Sequence, residues 1–121
     1  MNRAILILCY LSVLPSMALA DTGKGRQLYL SYGCALCHGL DGRGDGLNAS
    51  KFDPPPTNFH DLRTYRHGSG RDSLRSAISY GIKEEGSIMP SFEHIPPGEM
   101  DQIIDYLQSL KQKPLLNQSK T

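Results

Sequence analysis

Apolar residues recur at helical intervals in three stretches of the chain, separated by segments with no period at all. From Asp21 to Gly33, the residues Leu28, Tyr29 and Tyr32 are spaced by three and four, which predicts a short helix. Asp21 or Thr22 is placed to cap it, and Gly33 to end it. A second helix is predicted over Arg71 to Tyr80, with Leu74, Ala77 and Ile78 on one face and Gly81 suited to a left-handed cap. The third runs from Pro97 to Gln112, where Met100, Ile103, Ile104, Leu107 and Leu110 form an amphipathic stripe. Pro97 suits a first helical position. Glu99, Asp101 and Asp105 early, and Lys111 and Lys113 late, match the helix dipole. Between these elements, Gly39 to Phe59 carries four Gly and the run Pro54-Pro55-Pro56, and reads as one long loop. Residues 82–95 read as another loop, and 114–121 as a polar tail. No internal repeat or second domain is visible, so 21–113 is expected to be one small domain.

The first twenty residues break this pattern. Arg3 supplies a positive start, Ile5 to Leu14 an apolar run, and Ala18-Leu19-Ala20 a small-x-small cleavage site. A run of ten residues covers only about half of a bilayer's hydrocarbon core. Residues 1–20 are therefore expected to be a cleaved secretory signal rather than an anchor, with the product in the periplasm and not inserted in the membrane. Cys9 lies inside the apolar run and not at its end, which argues against lipidation. With Arg3 removed, the 13 Lys and Arg fall by one to match the 12 Asp and Glu. A balanced charge gives no field for steering nucleic acid. The absence of Trp likewise argues against a base-stacking platform.

Signal removal takes Cys9 with it and leaves Cys34 and Cys37, in the run Cys34-Ala35-Leu36-Cys37-His38. Cys-x-x-Cys-His is the pattern of c-type haem attachment. Two thiols separated by two residues reach the two vinyl groups at one porphyrin edge, and the adjacent imidazole then ligates the iron. Three other readings fit less well. A thioredoxin-like pair belongs to a βαβ context that the chain lacks. A zinc site usually needs four ligands, and no second Cys pair exists. A plain Cys34–Cys37 disulfide closes so short a loop that it gains little, and it leaves His38 without a role.

An electron-carrying haem usually closes its second axial position with a protein ligand, often Met, whose thioether raises the reduction potential. Outside the signal stand Met89 and Met100. Met100 falls on the stripe of the last helix and is expected in the core. Met89, in a loop and followed by Pro90, is the expected iron ligand beside His38. His60, His67 and His94 are the rivals, with His67 and His94 the ones to watch.

In this arrangement the chain resembles a class I monohaem cytochrome c over essentially its whole length after the signal. The matching features are Gly25-x-x-Leu28-Tyr29, Cys34 to Gly39, Asp41-Gly42-x-Gly44-Asp45-Gly46 and the Pro-Pro-Pro-Thr-Asn-Phe segment at 54–59. Gly81-Ile82, Met89-Pro90-Ser91-Phe92 and Tyr106-Leu107-x-x-Leu110 follow in the same order. The resemblance implies an all-α fold of three to four short helices, with long loops wrapped around one covalent haem c. It implies that the first and last helices cross at Gly25, with Tyr29 near Tyr106. It also implies that a carbonyl of the Pro54–Pro56 stretch accepts the Nδ1 proton of His38, and that Arg63, Tyr65 or Arg66 bonds a propionate. The loop after His38 is longer than in the mitochondrial form, which leaves that carbonyl unassigned, and Gly33 is an extra residue before Cys34.

The activity so implied is outer-sphere electron transfer, Fe(III) to Fe(II) and back, with no catalytic residue of its own. The partners would be periplasmic redox proteins: a dehydrogenase, a quinol-oxidising complex, or a terminal reductase or oxidase. The chain would act as a monomer or as a subunit of a redox complex. A haem enzyme or gas binder with a labile sixth ligand, using His94 or His67 as distal acid or base, is the alternative.

Overall fold

A computed structural model describes residues 22–111. The expected signal at 1–20, the Asp21 cap and the tail at 114–121 lie outside the described residues, and the last helix ends at Leu110, before the expected Gln112. Four α-helices account for the frame: α1 (Thr22–Ser31), α2 (Ala35–His38), α3 (Arg71–Tyr80) and α4 (Pro97–Leu110). Single 3-10 turns at Ala49–Lys51 and Leu62–Thr64 punctuate the connection between α2 and α3. Among the described residues, no helix is long and apolar enough to cross a membrane.

Helix α1 packs on α4 because Gly25 lets the two backbones meet. A Cβ at position 25 would lie 2.8 Å from the Tyr106 Cβ and would collide with the Gln102 carbonyl, so any larger residue forces the helices apart. Next to that contact, Tyr29 is 1 % exposed, its ring edge-on to Tyr106 at 5.4 Å and to Phe59 at 6.5 Å. Leu28, Ile103, Ile104 and Leu107 complete the seam, and Met100 is buried in it, as its stripe position predicts. Rings and branched chains here remove apolar surface from water on both helices, and that removal is the main favourable contribution to the crossing.

Gly33 ends α1 in a Schellman motif. At a φ of 80° its own N–H bonds the Leu30 carbonyl, and the Cys34 N–H bonds the Tyr29 carbonyl at 3.1 Å. The extra residue before Cys34 is therefore the left-handed turn that reverses the chain into α2. α3 has the bounds that its pattern predicts, with Leu74 and Ile78 buried and Gly81 at a φ of 73° bonding Ala77. Arg71 and Arg75 reach across from α3 to Asp101 and Asp105 on α4.

Two elements depart from the sequence reading. Residues 82–95 are not all loop: Ile82–Glu84 (β1) pairs antiparallel with Ser87–Met89 (β2), in the register Ile82 to Met89 and Glu84 to Ser87. Gly86, at a φ of 78°, closes the two-residue turn. Three-residue strands are too short to print an alternating pattern, and this hairpin borrows support from outside, since the Asp53 N–H bonds the Gly86 carbonyl. The second departure is α2, one turn lying inside the Cys-x-x-Cys-His run.

Candidate functional site

A single turn of helix is unstable alone, because its last carbonyls have no partners. In α2 those partners come from the glycine-rich loop that follows. Gly44, Gly46 and Asn48 donate their N–H groups to the carbonyls of His38, Cys37 and Leu36 at 2.8, 3.1 and 2.8 Å. The loop can pass this close only because it lacks side chains there. A Cβ at Gly46 would run into the Ala35 and Leu36 carbonyls, and one at Gly44 into Pro56. The loop expected to be irregular is thus the cap of the turn that presents Cys34, Cys37 and His38.

His38 is fixed next. Its Nδ1–H donates to the Thr57 carbonyl at 3.0 Å, and its ring lies against Phe59 with centroids 4.6 Å apart. The brace falls one residue beyond the expected Pro54–Pro56 stretch, because Gly42 receives Phe59 through a 2.7 Å backbone bond and sets the register of the whole segment. Burial lowers the His38 pKa, and the Thr57 bond opposes that only in part, so the imidazole is neutral with its proton on Nδ1. That leaves Nε2 with a free lone pair, the state a metal-binding imidazole needs.

Cys34, Cys37 and His38 line a cavity of about 370 Å³, together with Met89 from the end of β2. Cys34 and Cys37 are not bonded to each other, and burial pushes the Cys34 thiol, before any attachment, up to about 11, which argues against a thiolate of the kind that drives disulfide exchange. The rest of the lining is mostly apolar, including Phe59, Leu74, Ile78, Ile82, Phe92 and Leu107, with Arg66 and His67 as its basic side chains.

The remaining sequence candidates sort clearly. Met100 is 3 % exposed in the α1–α4 core and is not part of the lining. His60 is turned to the Asp41 carbonyl at 2.8 Å, and His94 lies exposed beside Tyr32 and Phe92; neither lines the cavity. His67 does line it, with its Nε2 3.1 Å from Glu84. Arg63 points away, paired with Asp61, whereas Tyr65 and Arg66 border the cavity. Sequence reasoning missed Phe59 as the ring behind His38 and Ser87 as a buried hydroxyl. Phe59 carried a signal in its place after the prolines; Ser87 carried none.

A mostly apolar cavity with paired thiols, a neutral imidazole and a thioether in its walls fits haem c in donor chemistry, and its volume falls in the range of cofactor sites, about 300–1,000 Å³. The family profile described as cytochrome c matches residues 23–111. The chain belongs to the cytochrome c family. Its cofactor is accordingly a covalent haem c. A cbb3-type cytochrome c oxidase subunit CcoP of Helicobacter pylori is 32% identical over 90 residues, covering 73% of this chain and 27% of that protein. This cytochrome thus spans about a quarter of the length of that relative. A chain of the Kuenenia stuttgartiensis reducing HAO-like protein complex superposes with a TM-score of 0.62 at 29% identity, covering 75% of this chain and 44% of the other.

Proposed function

We propose that this cytochrome is an exported, periplasmic electron carrier whose haem is attached through Cys34 and Cys37 and ligated by His38 and Met89. The observation that carries the reading is that these four side chains, taken from two separate stretches of sequence, line one mostly apolar cavity while Thr57 commits the Nδ1 proton of His38. The haem supplies a one-electron couple. The chain's own residues do the rest. Cys34 and Cys37 hold the porphyrin edge, and Thr57 orients the imidazole so that Nε2 is the nitrogen available for coordination. Phe59, Leu74, Ile78 and Leu107 keep water from the buried face, which limits reorganisation when charge changes. Leu36, between the two cysteines, is 52% exposed, so the attachment edge lies where a partner can approach.

The partner class we propose is a larger redox assembly, because both relatives are parts of such assemblies by name. The alternative of a gas binder or peroxidase finds less support. His94 lies outside the cavity lining, and the Nε2 of His67 is already engaged by Glu84.

The test is spectroscopic. After export and haem maturation, the protein is expected to hold haem that denaturation cannot extract, and to show a sulfur-to-iron near-infrared band. Met89→Ala should remove the band while the haem stays attached. A band that survives in Met89→Ala removes that residue as ligand, and rapid carbon monoxide binding to the reduced wild type favours the gas-binding alternative.

A further inference from the structure

Two walls of the cavity come from distant stretches: the segment of Phe52, Pro56 and Thr57, whose Thr57 carbonyl braces His38, and the β1–β2 hairpin, which carries Met89. One seam joins them. The Asp53 N–H bonds the Gly86 carbonyl at 2.9 Å. The Arg66 guanidinium spans the gap, Nη1 donating to the Pro55 carbonyl at 3.4 Å and Nη2 to the Ser87 hydroxyl at 3.3 Å. Beside it, His67 pairs with Glu84 at 3.1 Å. Ser87 is the buried polar side chain of the described core, and it stands two residues before Met89. A hairpin of two three-residue strands is marginal without outside support, so its seat depends on this seam.

We infer that Arg66 is a positioning residue for Met89, a strap that holds the hairpin against the loop bracing His38 and so sets how often Met89 leaves the iron. The inference rests on the reading of Met89 as an axial ligand. Arg66 and Glu84 are exposed, so each contact adds little to global stability. What they govern is local opening of the hairpin, which can proceed far below the cost of unfolding the whole domain.

The experiment uses the haem-loaded full chain, with carbon monoxide binding to the reduced protein as the measure of hairpin opening. Arg66→Leu is expected to speed binding about five-fold, the factor that one net hydrogen bond is worth. Its thermal midpoint should stay near that of the wild type. Arg66→Lys, which keeps a donor, should recover part of the difference. Ser87→Ala should match Arg66→Leu, and Glu84→Gln should give a smaller increase. The Asp53 amide, on the same seam, should exchange its hydrogen faster in each accelerated variant.

Wild-type binding rates in both Arg66→Leu and Ser87→Ala overturn the strap. So does a change in reduction potential with no change in binding rate, which would make Arg66 an electrostatic neighbour only. Should Arg66→Leu fail to take up haem, the Ser87→Ala and Glu84→Gln rates decide. Loss of the near-infrared band in Met89→Ala, alongside unaltered rates in the seam variants, would sink the strap and leave the ligand assignment standing. Retention of that band in Met89→Ala removes the ligand assignment beneath it.

Discussion

Tyr29 joins three parts of the molecule through one side chain. Its ring fills the space between Tyr106 and Phe59, and its hydroxyl donates to the Gly39 carbonyl at 2.7 Å, immediately after the haem-attachment run. Burial raises its pKa far above the ordinary phenol value, so the hydroxyl remains a donor at any physiological pH. Gly39 also accepts from the Gly42 N–H, so Tyr29→Phe does not orphan the carbonyl. The expected loss is therefore the net value of one hydrogen bond, about 1 kcal/mol. In a domain of this size that lowers the midpoint of thermal unfolding by about 4–8 °C. Calorimetry of the haem-loaded protein checks this, and an unchanged midpoint would show the bond to be energetically idle. At this scale the sequence spoke through residue types with one dominant use. Cys34, Cys37, His38 and Met89 stood out because few other roles suit them, and the fold lines one cavity with all four. Thr57 was not, because it acts through a main-chain carbonyl that every residue possesses.

Among the elements, those with a face to bury were readable. Leu74 and Ile78 fix α3, and the stripe of α4 fixes its rotation, since each repeats the helical period long enough to be seen. The hairpin and α2 were not readable, because their stability comes from other parts of the chain: Asp53 for one, Gly44 to Asn48 for the other. The α3–α4 contact adds an electrostatic component. Bonding from Arg75, with further attraction from Arg71, holds the Asp101 carboxyl below its ordinary value of 3.8. A depressed carboxylate stabilises the fold at pH values above the unfolded value, and that contribution fades as pH falls through the folded one. Asp101→Asn is thus expected to be less stable than wild type near neutral pH, the difference closing as the pH falls below the ordinary carboxylate value and through the lowered folded one. Paired thermal melts across that range check it. A difference that grows on acidification would reverse the assigned sign. The pair is half exposed, so the effect should also weaken in high salt.

For the molecule as a whole, the cavity is the centre around which the helices are arranged, and the cofactor completes the core. Phe59, Leu74, Ile78, Phe92 and Leu107 all turn apolar surface toward the cofactor site, so without a haem against them that surface would be left to water. The double variant Cys34→Ala, Cys37→Ala, which cannot hold haem covalently, is therefore expected to lose cooperative unfolding and most of its helical circular dichroism. A sharp transition in the haem-free double variant would mean that the walls hold themselves. The place of the cofactor in the core is what no periodicity reports, since Leu74, Ile78 and Leu107 look like ordinary core residues whether they face one another or a ring.

The crossing at Gly25 has a consequence for how such a unit can be assembled into larger polypeptides. Gly25 touches Gln102 and Tyr106, while Tyr32, further along, bonds Glu99. The two helices therefore run in opposite directions, and the chain enters α1 beside the place where it leaves α4. Neither Thr22 nor Leu110 belongs to the cavity wall. A unit with neighbouring entry and exit behaves as a plug-in cassette: it can be spliced into a longer polypeptide, doubled in tandem or hung on a tether without its electron-bearing pocket being rebuilt.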